Sequence, residues 1–129
     1  MLTLNALCSA GAVLIPMQGE YYALEGLTQL LRTVEMVRQG PNPNLAIEGV
    51  LLTMFDKRNN LARQVADDVR NHFTGRVFNA VIPRNVRLSE APSFGRPILF
   101  YDIASSGCQS YLEFAQEFLD NAPLNDAAA

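Results

Sequence analysis

Three short apolar runs, AVLIPM at 12–17, AIEGVLLTMF at 46–55 and VFNAVI at 77–82, alternate with stretches in which apolar residues recur every three or four positions. No other feature narrows the possible folds as far. Short, nearly continuous apolar runs suit strands buried on both faces, as in a parallel sheet. The segments between them carry the spacing of helices. From Tyr21 to Arg38 the residues Leu24, Leu27, Leu31, Val34 and Val37 form one stripe, which Gly40, Pro41 and Pro43 end. Leu61, Val65, Val69 and Phe73 form another, with Asn59 or Asn60 as the natural cap and Gly75 as the stop. Leu2 to Ala10 reads as the last turns of a helix closed by Gly11. Ser105 or Ser106 opens a final helix with Tyr111, Leu112, Ala115, Phe118 and Leu119 facing inward. The prediction is an α/β fold, a parallel sheet flanked by helices and joined by right-handed crossovers. Three strands are few for such a sheet. Two would be edges, and apolar edges invite pairing with other chains; the pattern implies strands supplied from elsewhere.

The run VIPRNVRLSEAPSFGRP, Val81 to Pro97, reads as a strand end opening into a long loop with Arg84, Arg87 and Arg96. Long loops in compact domains are usually functional. In open α/β sheets, ligands bind outside the carboxyl ends of the strands. Guanidinium groups stay charged and match phosphate oxygens with a fork of donors. The charge distribution agrees. Between Lys57 and Arg96 lie eight basic residues and three acids, whereas the remainder holds two basic and ten acidic residues. Such asymmetry points to one face that meets polyanions, a phosphate or nucleic-acid surface. The plain alternative is a set of solvated arginines.

At 129 residues the chain is one domain or part of one. Cys8 and Cys108 are far apart, with no CxxC and no histidine nearby, so they read as buried free thiols and no metal site is expected. The single histidine, His72, falls late in a helix and reads as structural. No apolar run reaches the length of a membrane span, and no signal-type block opens the chain. A cytoplasmic protein without membrane contact is the expectation.

Three segments, LIPMQGEYYALEGL (14–27), EGVLLTMFDKRNNL (48–61) and VIPRNVRLSEAPSFGRPI (81–98), together resemble the ParA/Soj family of chromosome- and plasmid-partitioning ATPases. The resemblance is collinear from Leu2 to Leu119. That family belongs to the P-loop group with a deviant phosphate-binding motif, close to MinD. The resemblance implies that residues 1–121 are the C-terminal half of a P-loop NTPase fold and that 122–129 are a flexible tail. It implies ATP and Mg²⁺ as cofactors of the full-length family. This chain has neither a Gly-x-x-x-x-Gly-Lys run nor any lysine besides Lys57. It is therefore expected to bind no nucleotide tightly and to hydrolyse none, with no catalytic residue of its own. Met1 then reads as an internal start, an engineered boundary or a truncated frame.

The resemblance also assigns residues. Adenine would be read by the ends of two strands, at Met54 to Asp56 and Pro83 to Asn85. The Pro83 carbonyl would accept from the adenine amino group and the Asn85 amide would pair with a base edge, Arg84 lying between them. Glu20 resembles the acid that reaches a partner's nucleotide ribose in the family's sandwich homodimer. Relatives usually carry Cys where this chain has Gly19. Arg58 and Arg87 fall where nonspecific DNA contact is expected, with Arg84, Arg63, Arg70 and Arg96 as helpers. The implied partners are nonspecific DNA, a ParB-like centromere-binding protein and a second copy, on the bacterial nucleoid. Two alternatives stand beside this reading. One is a catalytically dead fragment with a structural or interaction role. The other is MinD-like positioning, which the acidic last helix (Glu113, Glu117, Asp120) disfavours.

Overall fold

The protein is described by a computed structural model covering residues 2–120; the predicted tail at 122–129 and the expectation about Met1 lie outside the described residues. The elements are α1 (Leu2–Ser9), β1 (Ala12–Gln18), α2 (Ala23–Arg38), β2 (Ala46–Phe55), α3 (Asn60–His72), β3 (Val77–Pro83), α4 (Val86–Glu90), a 3-10 turn (Ala91–Phe94), α5 (Ile98–Tyr101) and α6 (Ser106–Asp120). All three strands are parallel and lie in the order β1-β2-β3. The strands and long helices predicted from the apolar pattern are all present, and the fold class is the predicted one.

Local chemistry sets the boundaries. Asn59 is the α3 cap: extended at φ −88° and ψ 113°, its side chain accepts from the amides of Leu61 and Ala62. That helix ends at His72, capped by Phe73, two residues before the expected stop at Gly75. Gly75 serves the turn that follows rather than the helix end. Ser105 caps α6, its Oγ accepting from Cys108 N at 3.2 Å. Asn42 donates to the carbonyls of Leu7 and Ala10 at 3.0 and 2.7 Å, satisfying the end of α1 from the loop before β2.

One face of the sheet is closed by α2 and α3. Ile15 and Met17 of β1 and Val50 and Leu52 of β2 bury against Leu27, Val65, Ala66 and Val69. A second cluster (Leu7, Val34, Val37, Leu45) fixes α1 to α2. On the other face Leu51, Phe78 and Ile82 pack under Leu88, Phe114 and Phe118. That face is covered over β2 and β3 alone. β1 alternates between buried Ile15 and Met17 and exposed Leu14 and Pro16, so the expectation of strands buried on both faces holds for the middle of β2 and fails for β1.

α6 is rolled away from its expected orientation. Phe114 stands edge-on to Phe78 at 4.9 Å, with Phe118 at 6.3 Å. These aromatic contacts fix the helix about its axis. Tyr111, Leu112 and Leu119, predicted inward, are left exposed. Leu61 is likewise 40% exposed, because Ala62 and Ala66 allow α3 to approach the sheet on a neighbouring stripe. Between Val77 and Val81, β3 spends four residues against two of β2. The freed amides of Asn79 and Ala80 are taken by the two carboxylate oxygens of Glu117, at 2.7 and 2.9 Å. The acid on α6 thereby blunts an exposed strand edge.

Candidate functional site

The carboxyl ends of the three strands meet in a rim with two hollows, one on each side of Met54. The first, about 420 Å³, lies toward α3 and is lined by Gln18, Glu20, Tyr21, Met54, Asp56, Asn59 and Arg84, among others. The second, about 330 Å³, lies toward α6 and is lined by Pro16, Thr53, Met54, Pro83, Arg84, Asn85, Ser89 and Tyr111. Met54 and Arg84 belong to both. The six residues assigned to nucleotide contact are therefore brought together, Glu20 and Asp56 in one hollow and Pro83 and Asn85 in the other. Neither Arg58 nor Arg87 lines either of these two hollows.

Met54 is the only non-glycine residue among those described with positive φ, at 50°. Left-handed backbone costs an ordinary residue about 1–2 kcal/mol. It marks the point where β2 stops running straight, and the Met54 side chain is left 43% exposed between the hollows. Such strain persists where surrounding structure enforces it, and it clusters at binding sites. Here Arg84 N donates to Phe55 O at 3.1 Å, locking the ends of β2 and β3 together just past that residue.

Asp56 turns the chain from β2 into α3. Its Oδ1 accepts from Arg58 N at 3.0 Å and from Arg58 Nε at 3.4 Å. The backbone donor is the main reason that its carboxyl is held below the ordinary value of 3.8; desolvation opposes it, and the Arg58 guanidinium and the Arg84 charge add smaller lowering effects. Arg58 itself is 92% exposed along its side chain. Gly19 is explained by proximity, since a Cβ there would lie 2.9 Å from Ala62 Cα. The first turn of α3 sits on the β1–α2 turn too closely for the cysteine that the resemblance would put there.

Asn85 is occupied by structural work. It is the α4 cap, its Oδ1 accepting from Leu88 N at 3.2 Å, and its Nδ2 donates to Ser106 Oγ at 2.8 Å. One amide hydrogen is left for a ligand. A Cβ at Gly107 would fall 2.6 Å from Leu88 and 3.1 Å from Asn85, so the start of α6 needs glycine to close on this corner.

The segment predicted to be a long loop is mostly helical turns, α4, the 3-10 turn and α5, because Asn85 starts a helix and Gly95, at φ 64°, lets the chain leave the 3-10 turn. Arg87 sits in this excursion. Its Nη1 is 3.3 Å from Glu90 and its Nε 3.3 Å from Asp102. Tyr101 donates to Glu90 at 2.8 Å. That bond raises the Tyr101 phenol above its ordinary 10.0; Tyr101 and the two carboxylates in turn favour charged Arg87. The i, i+3 spacing of Arg87 and Glu90 was visible in the sequence; the closure by Asp102 was not. The exposed pair Tyr21–Tyr22, edge-to-face at 4.9 Å beside the first hollow, was also missed. Two aromatic residues directly after a strand end were the available signal.

Among the described residues no three His, Cys, Asp or Glu side chains gather as a cation site. No described helix is long and apolar enough to cross a membrane.

Comparison with known proteins places this architecture. A family model described as an AAA domain matches residues 1–47. Among solved structures, cobyrinic acid a,c-diamide synthase from Mycobacterium smegmatis, with bound ADP and magnesium, superposes with a TM-score of 0.66 at 35% identity, covering 89% of this chain and 40% of that one. The chromosome partitioning protein ParA of Myxococcus xanthus is 60% identical over 119 residues, 92% of this chain and 42% of the relative. ParA of Caulobacter vibrioides is 59% identical over all 129 residues, 48% of its own length. The sporulation initiation inhibitor protein Soj of Bacillus subtilis is 55% identical over 121 residues, covering 94% of this chain and 48% of Soj. The chain spans less than half the length of these relatives, and by sequence over nearly its whole extent it belongs to the ParA/Soj family of chromosome-partitioning proteins.

Proposed function

We propose that this chain forms the base-reading rim and the DNA-contacting flank of a nucleotide-switched partitioning ATPase. The observation that carries the reading is the convergence of Glu20, Met54, Asp56, Pro83, Arg84 and Asn85 on one rim at the carboxyl ends of parallel strands, where open α/β sheets bind ligands. The Pro83 carbonyl and the free Asn85 amide hydrogen read adenine. Glu20 reaches toward the ribose of the nucleotide held by the second copy in the homodimer. ATP and Mg²⁺ are gripped by polypeptide beyond these residues, and the isolated chain neither holds ATP tightly nor hydrolyses it. The open face of β1 and its free edge are where such polypeptide packs. ATP-dependent pairing of two copies then presents Arg58 and Arg87, with Arg84, Arg63, Arg70 and Arg96 as helpers, to DNA phosphates on the nucleoid of a bacterial cytoplasm. A ParB-like protein is the partner that resets the switch.

The test is a DNA-affinity measurement on the intact protein with ATP and Mg²⁺. Arg58→Ala should keep ATP binding while DNA affinity falls and its dependence on salt becomes shallower by about one counterion. Equal affinities for variant and parent across a salt titration would remove Arg58 from the DNA surface. The rim is tested separately. Asn85→Asp should weaken ATP binding, since it replaces the amide donor with an acceptor while keeping the α4 cap. Unchanged nucleotide affinity in that variant would disprove the base-reading role.

A further inference from the structure

Arg58 and Arg87 carry the same formal charge but sit in opposite electrostatic settings. Arg58 has one carboxylate contact, Asp56 at 3.4 Å, and is almost wholly exposed. Arg87 is held between two carboxylates from different parts of the chain: Glu90 at the end of its own helix and Asp102 beyond α5, each at 3.3 Å. The arrangement is braced. Glu90 also accepts from the Tyr101 hydroxyl at 2.8 Å, and the Tyr101 ring stacks on Phe94 at 5.2 Å. One cation therefore faces two anions, and a phosphate approaching Arg87 meets a locally negative surface. At these distances salt screens the repulsion incompletely. Yet Arg87 remains about half exposed, so its guanidinium can be reached. Of its five N–H donors, some still point to solvent.

We infer that Glu90 and Asp102 are a built-in counter-anion for Arg87: phosphate contact at α4 requires displacing a carboxylate, and this competition holds DNA affinity below what the arginines alone would give. The inference rests on the reading of Arg87 as a phosphate contact. It adds that the strength of the contact is set by an internal competitor. A purely mechanical staple, holding α4 against α5, would behave differently. Loosening it would not strengthen binding.

A double-mutant cycle separates the possibilities. DNA affinity is measured by anisotropy with a short fluorescent duplex of arbitrary sequence, at low salt, on the intact protein with ATP and Mg²⁺. Asp102→Asn and Glu90→Gln should each tighten binding by about two- to fivefold, the range expected for exposed ion pairs. In an Arg87→Ala background each should give no more than the small gain that loss of any surface acid gives. Glu113→Gln, an exposed acid on α6, controls for general loss of negative charge and should give a smaller gain that survives Arg87→Ala. Gln at position 90 keeps an acceptor for Tyr101, so that variant carries the test if Asp102→Asn fails to fold. The competition is overturned if neither substitution tightens binding, if the full gain persists without Arg87, or if Glu113→Gln matches it. When Arg87→Ala weakens binding and the carboxylate variants do nothing, the DNA contact stands and the competition falls. When Arg87→Ala leaves affinity unchanged at every salt concentration, or no form binds DNA, both fall.

Discussion

The two faces of this sheet are built from the same kinds of residues but finished to different degrees. Toward α2 and α3, all three strands contribute to one continuous core, from Ile15 and Met17 through Val50 and Leu52 to Val77 and Val81. Toward α6, the core stops at β2. Phe78, Ile82 and Leu51 are covered by Phe114 and Phe118, whereas Leu14 and Pro16 next to them stay exposed. α6 itself turns Leu112 and Leu119 outward on that side. The difference teaches that burial in this molecule is limited by the supply of covering elements and not by the composition of the strands. A single helix can close two strands.

The largest test of that comparison is Phe78→Ala. Phe78 is fully buried and makes ring contacts with both α6 aromatics. Its loss should cost about 3–5 kcal/mol and release α6 from the sheet, read as an earlier denaturation midpoint. A loss near zero would mean that α6 is held by something other than this aromatic group. Next comes Asn59→Ala on the closed side, which removes the α3 cap and should cost about 1 kcal/mol in the same assay. On the open side, Leu119→Gln should alter the stability of the 129-residue chain by no more than about 0.5 kcal/mol, as usual for exposed positions. A markedly larger loss would show that Leu119 packs against a covering element, and the contrast between the two faces would fall.

The smallest effect lies at the rim where the two faces meet. Asp56 should titrate below 3.8 in a carboxyl-resolved NMR experiment. A depressed folded-state value means that the carboxylate favours the native corner at pH above the unfolded-state value. That contribution disappears as pH falls through the lowered one. Because the leading cause is the Arg58 backbone N–H, Arg58→Ala should return only a small part of the shift. Full recovery would show that the guanidinium dominates and that Arg58 is held more firmly than its exposure implies.

Much of the site was legible in advance because it lies where strands end. The apolar runs put Met54 and Pro83 at strand ends, with Asp56, Arg84 and Asn85 just beyond, whereas the roles given to them came from the family resemblance alone. Their division between two hollows was not legible. It depends on the positive φ at Met54 and on the Arg84–Phe55 hydrogen bond. Nor was the double use of Asn85, since its partner Ser106 is 21 residues away. The same holds for Arg87. Its neighbour Glu90 is helical spacing, but Asp102 arrives only because α5 folds back. Cys8, expected to be buried, is only partly so, while Cys108 is buried as expected.

What the sequence determined by itself is the order and type of the long elements and hence the parallel sheet. Alternating apolar runs and helical stripes are local patterns, and right-handed crossovers leave little freedom in joining them. Tertiary structure alone decided which stripe of α6 and α3 faces inward, which side of β1 is covered and which carboxylates reach Arg87. Each of those outcomes depends on groups far apart in the chain competing for the same space or charge, and the spacing of residues along one segment carries no record of that competition.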